Sequence, residues 1–233
     1  MLFFTKKTKI VLDAFTSNTS AYKDTPIVEA YKKIPSWITN MKGTYTEQGF
    51  IPRATMKLCP AIQDYNMRGI IIPLWSDLAI KIENKSIQWQ FADCETSIVS
   101  HPSLEWDAFN NSLDNVHLKL GSPWLLYHKD KVFSTWDKPY FHKELSKEID
   151  IVSGINEYKT QSTTNINLFI NIQENKVIQL LKGTPMVKIT PLSDKEFIVK
   201  THLIDKTEWD KKSMQNNRTS FIKNKIKKCP FKR

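Results

Sequence analysis

The sequence predicts a mainly β, single-domain protein, a barrel or sandwich with a short helix near its N-terminus and a basic helix at its C-terminus. Three observations carry this. Between Met56 and Thr201, eleven short stretches of apolar or alternating residues are separated by Asn, Asp, Gly, Ser and Pro. No helical pattern of a dozen residues comes between them, which argues against an α/β fold. Finally, 175–192 reads NKVIQLLKGTPMVKITPL, two strands about a corner at Lys182-Gly183-Thr184-Pro185.

Taken in order, 7–15 (KTKIVLDAF) predicts an opening strand with Ile10 and Leu12 on one face and Val11 on the other. A polar loop is expected over 16–23. Asp24-Thr25-Pro26 looks like a helix start, and Ile27, Ala30, Tyr31 and Ile34 follow at helical spacing until Pro35 stops the run. Trp37 then packs this helix on the body. The eleven strands are expected at 69–74, 78–83, 86–91, 97–100, 116–120, 124–128, 131–134, 166–172, 177–181, 186–189 and 196–201. Asp205 is placed to cap a helix through Trp209 towards Ile226. The domain is therefore 1–204, with 205–233 as a basic helix and tail.

The chain has 233 residues, long enough to bury a core, and its 40% hydrophobic and 25% charged residues are those of a folded globular protein. Three distant cysteines, Cys59, Cys94 and Cys229, form neither a disulfide framework nor a CxxC zinc motif, which suits a reducing compartment. No run approaches the roughly 18 apolar residues that span a bilayer, so no membrane partner is expected. The net charge of +10 is uneven: ten cations against three acids place +7 in 205–233.

Few residues carry a chemical signal. His128-Lys129-Asp130 has the H-x-D spacing of a facial iron triad, with His202 downstream as a third ligand. The competing reading, favoured here, makes Lys129-Asp130 the exposed turn of a hairpin. Cys94 and His101 lie seven apart without a further ligand nearby, so a buried thiol and a hydrogen-bonded histidine are expected. Cys229 sits among lysines that would favour its thiolate, although a tail cysteine reads first as an idle surface thiol. No GxSxG, GxGxxG or GxxxxGK[ST] motif occurs, and no cofactor is expected. The seven tryptophans read as core packing before ligand platform. Lys211, Lys212, Arg218, Lys223, Lys225, Lys227 and Lys228 could bind nucleic-acid phosphates or an acidic protein surface. Lysine dominates there and only Phe221 and Phe231 are aromatic, so a base-stacking platform is not indicated.

Several phrases together resemble an uncharacterised family of similar length encoded by tailed phages and related viral genomes. They are Ile34-Pro35-Ser36-Trp37, Met56-Lys57-Leu58-Cys59-Pro60-Ala61-Ile62 with Asp64, and Pro73-Leu74-Trp75-Ser76-Asp77 after Gly69. Trp89-Gln90-Phe91, Ser122-Pro123-Trp124, Lys182-Gly183-Thr184-Pro185 and Pro191-Leu192 complete the set. The resemblance implies a viral accessory or virion-associated protein in the host cytoplasm or virion, and brings no activity with it. A second likeness is to the β-clip fold of dUTPases and dCTP deaminases. Val152-Ser153-Gly154-Ile155-Asn156-Glu157-Tyr158 precedes an extended strand, and the 180–188 corner follows in the same order. That likeness implies the scaffold only, since the Arg-Ser-Ser phosphate motif and a glycine-rich C-terminal arm are missing. The expectation is a binding protein rather than an enzyme, with a nucleotide-pool enzyme and a tail-borne nucleic-acid binder as alternatives. A homo-oligomer, as in β-clip enzymes, is left open.

Overall fold

The computed structural model describes residues 9–46, 51–93, 97–145, 147–160 and 163–220, with side chains as far as residue 214. In chain order the strands are Lys9–Thr16 (β1), Val28–Glu29 (β2), Thr44–Tyr45 (β3), Arg53–Ala54 (β4), Ile70–Pro73 (β5), Leu78–Glu83 (β6), Ser86–Phe91 (β7), Ile98–Ser100 (β8) and Asn115–Leu120 (β9). They continue as Leu125–Tyr127 (β10), Phe133–Asp137 (β11), Ile149–Ile151 (β12), Gly154–Glu157 (β13), Ile166–Asn171 (β14), Lys176–Leu180 (β15), Pro185–Pro191 (β16) and Glu196–Leu203 (β17). Among the described residues four α-helices accompany them: Thr19–Asp24 (α1), Ser36–Thr39 (α2), Pro60–Met67 (α3) and Lys206–Ser220 (α4). The protein is thus mainly β, and none of its described helices is long and apolar enough to cross a membrane.

β1 lies at the centre of one sheet, antiparallel to β10 and parallel to β17 from Lys9 opposite Glu196 to Thr16 opposite Leu203. Its alternation is the expected one, with Ile10, Leu12 and Ala14 buried and Val11 exposed. The largest sheet runs β13-β11-β16-β5-β2, another runs β12-β14-β9-β8, and a third runs β15-β6-β7. β3 and β4 form a separate ribbon. Every sheet has two edges, so no barrel closes among the described residues. One contiguous apolar core, with Leu12, Ile72, Ile80, Leu118 and Val187 in it, joins the four larger sheets.

The 175–192 corner bends together with a second one. β5 runs on into β6 through Leu74 to Asp77, as β15 runs on into β16 through Leu181 to Thr184. β5 pairs with β16 and β6 with β15, so the two segments form one antiparallel ribbon that passes from one sheet into the next. Pairing continues through the bend: Gly183 N donates to Leu74 O at 2.7 Å, and Leu74 N donates to Thr184 O at 2.8 Å. Gly183 takes φ +88°, a left-handed conformation that a side chain would disfavour. The Asp77 carboxylate accepts from Lys182 N at 2.5 Å, and the Lys182 ammonium reaches Asp24 at 2.6 Å.

Three expectations are corrected. The predicted helix over 26–34 is instead the edge strand β2 followed by a 3₁₀ turn at Ala30–Lys33. The β5 edge offers Val28 and Glu29 backbone partners opposite Ile71 and Ile70, and Ile27, Glu29 and Ala30 are buried there, so tertiary pairing overrides the local spacing. The 16–23 loop contains helix α1, whose first turn is capped by Asn18 Oδ1 accepting from Ala21 N at 2.8 Å. The 124–134 segment is not a hairpin, because β10 joins the β1 sheet while β11 joins β13 and β16. A helix that periodicity does not announce, α3, begins with Pro60 at its first position.

Candidate functional site

A cavity of about 1140 Å³ opens where the chain leaves β11 after Asp137 and passes under α3. Its walls are Ala61 and Ile62 of α3 together with Tyr140, Phe141 and Leu145 of the following loop, and Asp137, Lys138, Lys143, Lys147 and Asp150 supply its charges. Tyr65, projecting from α3, ties the loop down. Its hydroxyl donates to Lys138 O at 3.3 Å and accepts from Tyr140 N at 2.9 Å. Phe141 meets the Tyr65 ring edge-on at 5.3 Å and the Tyr140 ring edge-on at 5.2 Å, while Trp37 tilts over it at 6.1 Å. Trp37 Nε1 donates to Phe141 O at 3.0 Å, so Trp37 does pin its segment to the body, through this loop. Tyr140, at 79% exposed, is the ring left open to an incoming ligand.

Lys188 lies beneath this loop in β16, opposite Asp137 of β11, and is only 3% exposed. Its ammonium sits 4.6 Å from the centre of the Tyr65 ring and donates to Arg68 O. Burial pushes its pKa down to about 8, with the Arg68 charge adding to the effect and Asp137 opposing it. Burial also raises the Tyr65 pKa, against the hydrogen bond from Tyr140 N. His142, at the edge of the same cavity, is held below its ordinary value by burial, with Glu144 at 3.5 Å opposing. A lysine, a tyrosine and a histidine with displaced pKa values make a cluster that could pass for catalytic machinery. The ammonium, however, is committed to a backbone carbonyl and an aromatic face, and the space beside it is only about 10 Å³. It braces the sheet against α3. The accessible part of the site is aromatic, with three lysines against Asp137 and Asp150, and the Lys138 ammonium is itself committed to Ile149 O.

The structure does not assemble the other candidates into a site. His128 is buried at the end of β10, where Nδ1 accepts from Asp130 N at 3.0 Å and the His128 N–H donates to Tyr158 O. His202 is bonded to Asp13 at 2.8 Å and stacked on Phe15. The register sets His202 level with Phe15 and Leu125, three residues before His128 along β10, so the proposed triad is not brought together. Among the described residues no group of three or more His, Cys, Asp or Glu could hold a metal ion. His101 pairs with Glu105 at 2.8 Å and stacks on His117 at 4.4 Å, while Cys94 and Cys229 lie outside the described residues. Of the tryptophans, Trp75, Trp106, Trp124 and Trp136 are buried, in line with core packing.

Asp205 does cap α4, accepting from Glu208 N at 2.8 Å. Lys211 and Lys212 lie on this helix. Lys212 pairs with Glu208 at 3.5 Å and covers the Phe15 ring at 4.4 Å. The Arg218 side chain and residues Lys223, Lys225, Lys227 and Lys228 lie outside the described part. Comparison with family models, with curated proteins and with solved structures returned no match. Of the residues that line the aromatic cavity, the sequence singled out only Ala61 and Ile62, within the phrase that resembles phage proteins, and Ser153, within the β-clip phrase. One signal was available: Lys188 interrupts Pro185-Met186-Val187-Lys188-Ile189, a run whose neighbours are all apolar.

Proposed function

We propose that the chain is a non-enzymatic binding protein, of the accessory or virion-associated kind that its likeness to phage and viral proteins implies, working in the host cytoplasm or the virion. Its ligand enters the cavity beneath α3, and the chemistry of that cavity favours a nucleotide. The observation that carries this is the open ring of Tyr140 beside Lys143 and Lys147, with the Lys138 ammonium held on Ile149 O and the buried amine of Lys188 turned away into the sheet. A base or other planar group stacks on the tyrosine while the lysines attract phosphate. The bent ribbon of β5–β6 with β15–β16 supports placing this site on a β-clip scaffold.

A panel of deoxynucleoside triphosphates with Mg²⁺ tests the reading. Saturable binding without turnover is expected, weakened by Tyr140→Ala and by Lys147→Glu. Turnover would make the protein a nucleotide-pool enzyme instead, and binding indifferent to both substitutions would remove the ligand from this cavity. A second reading, nucleic-acid or acidic-protein binding by 205–233, rests on the +7 charge of that segment. Lys206 and Lys212 are already paired within α4, to Asp210 and Glu208, which moves its weight towards 218–233. It predicts salt-sensitive binding to single-stranded DNA that is lost when Lys223, Lys225, Lys227 and Lys228 are all changed to Glu.

A further inference from the structure

β7 is an edge strand. Its sheet runs β15-β6-β7, and no described strand pairs with its outer side. An open edge is a template for another chain, and folded proteins guard theirs with charge, proline or short length. The other edges here follow that rule. β2, β3, β4, β8, β10, β12 and β13 span only two to four residues. β17 carries Glu196 and Lys200, and Glu29 accepts from its Val199 N at 3.3 Å. β15 carries Lys176, paired with Glu148 at 3.7 Å. β7, Ser86-Ile87-Gln88-Trp89-Gln90-Phe91, has six residues with neither charge nor proline.

The ladder to β6 decides which groups point outward. The two-residue turn Asn84-Lys85 has φ 51° and 60°, the type I′ form that closes a tight hairpin. At the far end Ala92 N donates to Asp77 O at 3.0 Å, so Asp77 and Ala92 are a hydrogen-bonded pair. Bonded pairs recur at every second residue, which makes Ala79 with Gln90, Lys81 with Gln88 and Glu83 with Ser86 the next ones. The backbone N–H and C=O groups of Ile87, Trp89 and Phe91 therefore face away from β6. The side chains of the same three residues lie opposite Ile82, Ile80 and Leu78, on the core-facing side, while Gln88 and Gln90 turn to the other face. Ile87 and Phe91 pack partly buried against the core, and Trp89 stays 36% exposed, so the apolar row runs out to the edge of the sheet.

We propose that β7 pairs with β7 of a second copy of this chain, antiparallel, about a two-fold axis that passes between the two Trp89 residues. Backbone groups that face outward must oppose each other, so Ile87, Trp89 and Phe91 pair only among themselves. Setting Trp89 opposite Trp89 also sets Ile87 opposite Phe91 twice, which uses all the outward groups of both strands. The same register sets Gln88 opposite Gln90, and a side-chain amide both donates and accepts. Both apolar rows fall on one face, where each Trp89 covers the other. Beyond the strand ends Lys85 of one copy comes to Asp93 of the other, and these charges attract. Lys85 spends one of its three protons on Leu113 O at 3.3 Å. For a chain of net charge +10, an uncharged strand with opposite charges at its two ends is where two copies meet with least repulsion. The complement this strand calls for, apolar on one face, amide on the other and oppositely charged at its ends, is β7 itself. None of the residues lining the cavity beneath α3 lies on β6 or β7, so this surface is distinct from that cavity.

Sedimentation of the full chain from low to high micromolar concentration tests the pairing. A mass that rises from one chain to two is expected, as for a small, reversible interface. Amide exchange on the same samples should show Ile87, Trp89 and Phe91 protected at high concentration and exchanging on dilution, with Gln88 and Gln90 protected at both. That measurement needs no substitution, so it stands even where a charged variant fails to fold. Trp89→Lys places two like charges on the axis, as does Trp89→Glu, so each should weaken association about tenfold or more, and an equimolar mixture of the two should restore it. Val177→Lys, at a residue 58% exposed on the opposite edge of the same sheet, should associate as the wild type does. A single-chain mass at every concentration, a trimer, or a dimer untouched by Trp89→Lys would overturn the proposal. So would a mixture of the two charged variants that stays monomeric. Protection of the three outward amides in a monomer would also overturn it, by assigning the edge to another segment of the same chain.

Discussion

Replacing Lys188 by methionine keeps the length of the side chain and removes its ammonium group. Burial sets the folded-state pKa near 8 against 10.5 for an unperturbed lysine. Below the lower value both states hold the proton, and the folded state carries the full cost of a buried charge. At about 1.4 kcal/mol for each tenfold change in proton affinity, that cost is about 3 kcal/mol. Between the two values the unfolded chain binds more protons than the folded one, so stability rises with pH. By about pH 9.5 the gain is about 2 kcal/mol, and the methionine variant has none of it. The variant also leaves the Arg68 carbonyl without its donor, a loss of about 1–3 kcal/mol that displaces its stability curve without tilting it. Urea unfolding of both proteins from about pH 7 to about pH 9.5 should therefore show the difference in unfolding free energy widening by about 2 kcal/mol in favour of the wild type. A difference that stays level across this range would refute the placement of Lys188 as a buried amine.

Further expectations concern the backbone, the histidines and α4. Gly69 and Gly183 share φ +88°, but a Cβ at Gly69 would meet Ile189 O at 2.2 Å whereas one at Gly183 meets nothing within 4 Å. Gly183→Ala should cost about 1–2 kcal/mol for its conformation alone. Gly69→Ala should cost clearly more by chemical denaturation, and equal losses would contradict the strand spacing at β16. His117 is held below its ordinary 6.5 by burial and by His101, so its folded state favours the neutral ring and stability falls as pH drops below 6.5. His142 acts with the same sign. His117→Phe should therefore flatten part of the acid limb in thermal melts at several pH values, and an unchanged limb would contradict the burial of that ring. Asp205→Ala removes the α4 cap and should lower stability by about 1 kcal/mol, read as reduced amide protection in the first turn of the helix.

The strands that periodicity announces are those whose side chains divide cleanly between core and solvent. β6 alternates buried and exposed at every position from Leu78 to Glu83, and its bounds match the expected ones. β1 likewise keeps its apolar face from Ile10 to Ala14. Such alternation is a local property, so reading the chain in order suffices to find it. The α4 start was legible for the same reason, because Asp205 and its capping partner are three residues apart. The corner at Gly183 was legible as well, since glycine and proline punctuate a strand wherever it lies.

What the order of residues could not decide is which strand lies beside which. Val28 and Glu29 sit within helical spacing, yet the open edge of β5 turns them into a strand. Leu125–Tyr127 and Phe133–Asp137 are separated by a short polar link, yet they enter different sheets, so His128 is buried where an exposed turn was expected. The cavity beneath α3 depends on the same kind of long-range placement. Tyr65 reaches Lys138 across 73 residues. A pairing between distant segments leaves no periodic trace in either one, because its energy depends on the partner surface that only the folded chain provides.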